Sequence, residues 1–249
     1  MVSEFMLQQT QTARVMPKYE AWVNQFPDPE SVAVASKTEI LQAWQGLGYN
    51  RRALYLHRAC VTIYRHYQNI VPQDKNGLLN LPGIGDYTAS AIRTFAWNYP
   101  EIMLETNIRT ALLYHFYDYE NLDHKVSDKS LHDQLARVLD TLQIDDYRDF
   151  YYRLMDYGVL IKKTVGNLNT LTATYAKQSR FEGSTRQVRA AIVRHLLQTI
   201  TPVNYTNILE NISINLDRDV DPSELQQLLD DLVSEGMIAA NKKGRYTVS

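Results

Sequence analysis

The segment LPGIGDYTA, residues 81–89, joins a tight turn to the start of a helix. Gly83 and Gly85 can adopt backbone angles that a side chain would forbid, so the chain can reverse tightly with several N–H groups pointing outwards. The helix that begins near Tyr87 adds the positive end of its dipole. Such a turn can bind a phosphate group without reading any sequence. The alternative is an ordinary helix–turn–helix without a ligand.

A lone carboxylate, Glu105 in LETN, follows the turn by about 20 residues. Arg109 stands one helical turn beyond it and could pair with an acid and tune its pKa. The pattern thus places one acid a short helix after a possible phosphate site.

Most of the first 165 residues show apolar spacings of three and four, as in Leu131, Leu135, Val138 and Leu142, with Pro or Gly between the runs. This spacing predicts about eight short helices and almost no strand. We therefore expect an all-α domain over residues 1–165.

The remaining chain divides into two parts. Residues 166–184 are rich in Thr, Asn and Gly with few large apolar residues, which predicts a basic linker or surface loop. Residues 185–249 predict three short helices, the third opened by the capping box of Asp221 and Glu224, and then a two-stranded hairpin around Lys243-Gly244. This order predicts a winged-helix domain.

Composition excludes several classes of protein. No apolar run approaches the ~18 residues of a membrane span, and MVSEFMLQQTQT lacks the features of a signal peptide, so a cytoplasmic location is the expectation. The single cysteine, Cys60, excludes a disulfide and any cluster held by several thiolates. Net charge is −4 over residues 1–150, +6 over 151–200 and −4 over 201–249, so a polyanion-binding surface would be local.

LPGIG followed by an acid, Asn and Arg resembles the helix-hairpin-helix/Gly-Pro-Asp superfamily of DNA glycosylases, the endonuclease III-like enzymes. More narrowly, SEFMLQQTQTARVMPKYEAWVNQFP at residues 3–27 and WQGLGYNRRALYLHRA at 44–59 resemble adenine DNA glycosylases of the MutY type. The resemblance runs from Val2 to about Ile161. It implies a two-lobed helix-hairpin-helix fold, double-stranded DNA carrying a mismatch or lesion as the substrate, and excision of a flipped base. It also implies a monomer that is associated with the nucleoid.

The resemblance also implies roles for individual residues. Glu4 matches the acid that protonates the purine ring, Glu105 the carboxylate that faces the sugar, and Asn107 a residue that supports the acid. Gln9 matches the wedge at the flipped base, with Gln8 and Thr10 beside it, and Tyr49 lines the base stack. Further DNA contacts are expected from the hairpin and from basic side chains: Leu81, Gly83, Ile84, Gly85, Thr88, Arg51, Lys162 and Lys163.

The chemistry needs two carboxyl groups. Cleavage of an N-glycosidic bond passes through an oxocarbenium-like sugar, so one acid must give a proton to the leaving base while a carboxylate stabilises or captures the cation. Flipping the base costs a few kcal/mol, which an inserted glutamine helps to offset.

This sequence departs from the family at several positions. Glu105 replaces the usual aspartate; a shift of about 1 Å can cost roughly a hundredfold in rate, so either the backbone compensates or the enzyme is slow or altered. Tyr87 stands where bifunctional relatives carry a lysine, which predicts hydrolysis without strand cleavage. Lys162 and Lys163 follow where the family has iron–sulfur cysteines, so no cofactor is expected. The chain begins almost at Glu4, so a helix that relatives carry upstream is expected to be missing or truncated.

The end of the chain also differs from typical members, which carry a Nudix-like domain that reads 8-oxoguanine. Glu224, Asp230, Asp231 and Glu235 on the third helix of the winged helix would repel phosphates, whereas Lys242, Lys243 and Arg245 on the hairpin suit DNA. Direct DNA contact and a structural or protein-docking role both remain open.

The prediction is a monofunctional DNA glycosylase that removes adenine mispaired with 8-oxoguanine or guanine. One rival keeps the fold and removes another mismatched or damaged base, such as thymine or uracil opposite guanine. A second rival is a non-catalytic DNA-binding protein on the same fold, or a regulator that uses the winged helix.

Overall fold

The structure is a computed structural model that describes residues 1–216 and 219–249. Within these ranges it is almost entirely helical, with one small sheet near the C-terminus, which confirms the predicted fold class. The first helices are α1 (Val2–Leu7), α2 (Thr12–Gln25), α3 (Pro29–Val34), α4 (Lys37–Trp44) and α5 (Arg51–His66). They are followed by α6 (Lys75–Leu79), α7 (Asp86–Trp97), α8 (Thr106–Phe116), α9 (Asp128–Thr141) and α10 (Tyr147–Thr164).

The C-terminal part contains a 3-10 turn (Leu168–Leu171), α11 (Thr185–Leu197), β1 (Val203–Asn204), α12 (Tyr205–Leu216), α13 (Pro222–Ser234), β2 (Ile238–Ala240) and β3 (Arg245–Val248). The sheet has three antiparallel strands in the order β1-β3-β2, with Val203 opposite Tyr246 and Ile238 opposite Val248. The predicted two-stranded hairpin is therefore present, and β1 adds a third strand that the sequence pattern did not indicate.

The described residues group into two compact units. The first unit combines residues 1–72, 80–83 and 179–249; the second combines residues 73–79 and 84–178. The C-terminal helices and sheet thus group with the first five helices, although they are far away in sequence. The division into domains at residues 165 and 184 stays a prediction.

The core of the first unit is built around two tryptophans. Trp22 and Trp44 are almost fully buried and meet edge to face with their ring centroids 5.7 Å apart, a favoured aromatic geometry. The C-terminal helices add their own apolar stripe, spaced at three and four residues: Leu225, Leu228, Leu229 and Leu232. Asp221 caps that helix, α13, by accepting hydrogen bonds from Ser223 N at 2.8 Å and Glu224 N at 3.1 Å.

The core of the second unit lies around α8 and α10, which pack closely along their length. Ile108, Leu113, Leu131 and Tyr151 are fully buried in it. The Tyr151 hydroxyl donates to the Glu101 carbonyl at 2.7 Å, so its polar group is satisfied inside the core.

The chain after α10 is docked within the second unit up to residue 172. Leu168 is buried in the core, and Val126 pairs with Thr172 through a parallel bridge. Residues 173–183 then form a continuous run of exposed positions. The segment predicted as one surface linker therefore has an ordered, docked first half.

In the described ranges, no helix has the length and apolar character needed to cross a membrane.

Candidate functional site

Helix α1 carries Glu4, and the end of this helix is held by one buried arginine. Arg52 is 8% exposed, and its guanidinium donates hydrogen bonds to both α1 and the loop before α5. These bonds satisfy backbone carbonyls that the short helix leaves open at its C-terminal end. The acceptors are the carbonyls of Phe5 (2.9 Å), Met6 (2.9 Å), Gln8, Leu47 (3.1 Å) and Gly48 (2.9 Å), and Thr10 Oγ1 (3.0 Å).

Arg52 stands beside Arg51 in the sequence, and sequence reasoning assigned it no structural role. Burial lowers the pKa of Arg52 to about 10, yet the group stays charged at neutral pH. A signal was present in principle, because only a long side chain with five donors can satisfy several carbonyls at once. Arg51, in contrast, is exposed, and its Nη1 lies 3.8 Å from Glu235 Oε1.

Glu4 is partly buried. Burial raises the pKa of its carboxyl group, and the amino group of Met1 partly opposes this shift. In the described ranges, no residue donates a hydrogen bond to the Glu4 carboxylate. Its surroundings therefore favour the protonated form, which a proton donor needs.

The residues that follow α1 adopt an unusual backbone. Gln9 has φ of +55° and an exposed side chain, so the predicted wedge projects outwards from a left-handed position. Thr10 beside it is held by Arg52, and its hydroxyl also lies 3.3 Å from the Leu47 carbonyl. Gln8 contributes its carbonyl to the same arginine.

Tyr49 shows the same feature in the GLGYN loop. Its φ is +48°, a costly conformation for a tyrosine, and its side chain is 37% exposed. The guanidinium carbons of Arg52 and Arg186 each lie 5.6 Å from its ring centroid. Arg186 Nη1 also lies 2.5 Å from the Tyr49 hydroxyl oxygen.

The glycine turn uses only one of its two glycines for backbone freedom. Gly83 has φ of +80°, and a Cβ there would lie 2.6 Å from Tyr55 Cβ, so both conformation and packing require glycine. Gly85 is extended at φ −99° and faces open space, so the special backbone predicted for it is absent. It is the N-cap residue of α7 and, having no side chain, it makes no side-chain cap hydrogen bond.

The other residues of the LPGIGDYT segment differ in exposure. Leu81 (1% exposed), Ile84 (6%) and Thr88 (5%) are buried, so any contact they make with DNA must come from the backbone. Tyr87, in the first turn of α7, is 40% exposed.

Glu105 caps the helix that follows it. Its Oε1 accepts hydrogen bonds from the backbone N–H groups of Asn107 at 2.7 Å and Ile108 at 2.8 Å. A glutamate can therefore fill the N-cap position of α8 and still be fixed at the carboxylate. No hydrogen bond from a described residue to its Oε2 is found. Asn107 contributes its backbone N–H to this arrangement.

The charge of Glu105 is favoured by its neighbours and disfavoured by burial. Burial raises its pKa, while the two N–H bonds and the charges of Arg109 and Lys162 act to lower it. Arg109 is itself held in a two-point pair with Asp128, at 3.0 and 2.9 Å. Lys162 and Lys163 are exposed in the last turn of α10.

Two residues that sequence reasoning did not identify contact the start of α8. A Cβ on Gly158 of α10 would lie 2.1 Å from the Asn107 carbonyl oxygen, so only glycine permits this contact. Asn169 is 5% exposed, and its Nδ2 donates to the Thr106 carbonyl at 2.9 Å and to Thr110 Oγ1 at 2.7 Å. A glycine inside a helical pattern was a usable signal for close packing; nothing local marked Asn169.

Groups of three or more His, Cys, Asp or Glu side chains able to hold a metal ion are absent from the described ranges. Cys60 is buried, which raises its pKa to about 12, so it is an inert thiol in the core.

Comparison with known proteins gives a consistent family. The HhH-GPD superfamily of base excision DNA repair proteins matches residues 2–138. The chain is 32% identical to an adenine DNA glycosylase of Mycolicibacterium smegmatis, over all of this chain and 86% of that protein. It is 45% identical over 109 residues to an adenine DNA glycosylase of Mycobacterium tuberculosis, which covers 44% of this chain and 36% of that protein.

Solved structures agree on the fold. A thermostable thymine-DNA glycosylase is 26% identical with a TM-score of 0.55, over 70% of this chain and 82% of that one. Endonuclease III in a non-covalent complex with DNA has a TM-score of 0.55 at 19% identity, over 69% of this chain and 80% of that one. The resemblance inferred from the sequence motifs is confirmed: the chain belongs to the HhH-GPD superfamily of base excision DNA repair proteins and is a DNA glycosylase.

Proposed function

We propose that the protein is a monofunctional glycosylase that hydrolyses the N-glycosidic bond of adenine mispaired with 8-oxoguanine or guanine. The observation that carries this proposal is the contrast between its two partly buried carboxyl groups. Within the described part of the chain Glu4 accepts no hydrogen bond that would favour its charge, whereas Glu105 accepts two backbone N–H bonds and lies near two cationic side chains. Unequal surroundings of this kind assign the acid and the carboxylate.

In the proposed mechanism, the protonated Glu4 gives its proton to the purine ring of a flipped adenine. The glycosidic bond then breaks, its electron pair leaves with the base, and positive charge develops on the sugar. The fixed carboxylate of Glu105 stabilises that charge or captures the cation. Water then adds to the sugar carbon, displacing the Glu105 carboxylate where it had captured the cation, and gives its proton to solvent, which leaves free adenine and an abasic site.

DNA positioning is assigned to further residues of each unit. The glycine turn and the positive end of the α7 dipole, after Gly83 and Gly85, would bind a phosphate through backbone groups. Gln9 and Tyr49 project from left-handed backbone positions and would fill the stack when the base leaves it. Lys162 and Lys163 add exposed positive charge at the end of α10.

Tyr87 supports hydrolysis over strand cleavage. A Schiff-base intermediate with the sugar, which leads to strand cleavage, needs an amine, and the position after Asp86 carries a phenol instead. Abasic product should therefore persist as intact strands until alkali is added. No cofactor is assigned to this chemistry.

The test is single-turnover release of adenine from an 8-oxoguanine:adenine duplex, with alkali to reveal abasic sites. Wild type is compared with Glu4→Gln, Glu105→Gln and the matched control Glu20→Gln, an exposed acid on α2. We expect loss of product in the first two variants, by a factor of 100 or more as for removed acid–base and electrostatic groups, and an unchanged rate in the third. Tight duplex binding without release in wild type would contradict the assignment.

A second candidate function follows from the 26% identity to a thymine-DNA glycosylase. The same fold could release thymine or uracil opposite guanine. Glu4 argues against it, because a purine-protonating acid has less to do for a pyrimidine. Guanine:thymine and guanine:uracil duplexes in the same assay separate the two, since faster pyrimidine release would favour the second candidate.

A further inference from the structure

The C-terminal helices are joined to the first five helices by a cluster of charged and polar contacts around the end of α13. Glu235 Oε2 accepts from Arg189 of α11 at 2.6 Å, and its Oε1 lies 3.8 Å from Arg51 of α5. The Glu235 carbonyl accepts from Arg58 at 3.1 Å. Cations at the last carbonyls of a helix also suit the negative end of its dipole. We call these residues the Glu235 joint.

The Glu235 joint includes a further contact from α4, where Lys37 Nζ donates to the Gly236 carbonyl at 3.0 Å. Glu235 itself is only 14% exposed at its side chain. Partly buried pairs are screened less by salt than exposed ones. The joint therefore fixes α11 and α13 to the helices that precede and follow the GLGYN loop.

The start of α11 then lies against Tyr49. Arg186 is held on one side by Ser179, whose carbonyl and hydroxyl oxygens lie 2.7 and 3.0 Å from its Nη2. On the other side its Nη1 reaches the Tyr49 hydroxyl, and its guanidinium lies within cation–π range of the ring. Both ends of the arginine are thus fixed, and one of them fixes the tyrosine.

Tyr49 needs such support. A tyrosine with φ of +48° is kept in place only when its surroundings determine it, and the backbone cost of such positions is of order 1–3 kcal/mol. Arg52 fixes the GLGYN loop, residues 46–50, by donating hydrogen bonds to the Leu47 and Gly48 carbonyls. The hydroxyl end of the ring is held by Arg186, which belongs to the C-terminal part of the chain.

We propose that Arg186 is a positioning residue that fixes the ring of Tyr49 for stacking on DNA, so that the C-terminal winged helix acts in substrate recognition through Tyr49 rather than through its own helix α13. The proposal rests on the DNA-lining role given to Tyr49 under the proposed function. It also assigns Glu235, which would repel phosphates, to the joint instead of to a DNA surface.

The experiment measures binding to a duplex that carries a tetrahydrofuran abasic analogue opposite 8-oxoguanine. The proteins are wild type, Arg186→Ala, Tyr49→Leu and the double variant, in a double-mutant cycle. We expect Arg186→Ala to weaken binding about tenfold, within the range of one lost base–aromatic stack. In the Tyr49→Leu background the same change should alter binding by less than twofold.

Two controls separate positioning from other roles. Arg189→Ala removes an arginine from the same helix that contacts Glu235 and not Tyr49, so it should lower the unfolding midpoint without the tenfold loss of binding. The slope of log Kd against log salt concentration should stay the same in Arg186→Ala. A slope reduced by roughly one would mean that Arg186 contacts a phosphate itself.

The proposal is overturned by an equal loss in both backgrounds, by no loss, or by tighter binding of Arg186→Ala, which would show that Arg186 covers Tyr49 and has to be displaced. The abasic analogue contains no base to release. A failure of adenine release in wild type would therefore count against the proposed function, and the binding data of the double-mutant cycle could still be interpreted.

Discussion

The two acids of this protein are held in place in opposite ways. Glu105 fixes itself, because its own carboxylate caps the helix that begins at the next residue. Glu4 is fixed from outside, since Arg52, 48 positions further along the chain, binds the end of the helix that carries it. A local cap tolerates changes elsewhere, whereas a remote clamp fails with a single side chain.

The same difference appears in the two charge environments. Burial raises the pKa of both carboxyl groups; it is opposed at Glu105 by two N–H bonds and two cationic side chains, and at Glu4 by the Met1 amino group. The acid that is held by its own hydrogen bonds is thus also the one whose charge has the more numerous favourable partners.

The largest effect is expected at the remote clamp. Arg52→Leu leaves several buried carbonyls without donors, and each such group costs about 1–3 kcal/mol. We expect a loss of roughly 3 kcal/mol or more in the free energy of unfolding, measured by urea denaturation, together with loss of base release. Arg51→Leu is the control, because that exposed neighbour should change stability by less than about 1 kcal/mol. Equal effects of the two changes would contradict the clamp.

The next effect is expected behind the self-capping acid. Gly158→Ala places a methyl group against the Asn107 carbonyl and forces α8 and α10 apart, at a cost of roughly 1–3 kcal/mol. A displacement of about 1 Å at Glu105 should lower the single-turnover rate roughly a hundredfold. Val159→Ala, at the exposed neighbouring position, should leave the rate unchanged. A full rate in Gly158→Ala would show that α8 can move without moving Glu105.

A smaller effect is expected at Asn169. Asn169→Leu removes the donors to Thr106 and Thr110 and should cost about 1–2 kcal/mol in unfolding free energy. Asn169→Asp should lower the unfolding free energy more than Asn169→Leu at neutral pH, because a carboxylate would face the Thr106 carbonyl. Thermal unfolding of the two variants tests whether Asn169→Asp is the less stable one. A less stable Asn169→Leu would contradict the role given to the Asn169 hydrogen bonds.

The smallest effect concerns stability against pH. Burial raises the pKa of Glu4 in the folded state, so above its ordinary value the unfolded chain releases this proton first and stability falls as pH rises. Glu4→Gln carries no such proton and should be more stable than wild type at neutral pH, by on the order of 1 kcal/mol. The difference should vanish below the ordinary glutamate pKa. A constant difference at all pH values would argue for a packing effect instead.

The helices, their caps and the family could be predicted from local sequence. The three- and four-residue apolar spacing gave the helices, Asp221 gave the start of α13, and the LPGIG and LETN motifs gave the family. Local rules work where a feature depends on neighbours in the chain, as caps and glycine turns do.

Long-range features could not be read in this way. Arg52 looked like part of a basic surface, although it satisfies carbonyls up to 47 residues away. Asn169 and Gly158 acquire their roles only because α8, α10 and the following turn pack together. The contact between Arg186 and Tyr49 spans 137 positions and follows from where the C-terminal helices dock.

The exposed run at residues 173–183 has a consequence for how the protein could be cut. Lys177 and Arg180 lie in it, so trypsin should cleave there before it cleaves the helices. The two fragments would still share the Glu235 joint, through Arg51, Arg58 and Lys37 on one side and Glu235 and Gly236 on the other. A nicked chain should therefore migrate as two bands under denaturing conditions and as one particle in its native state.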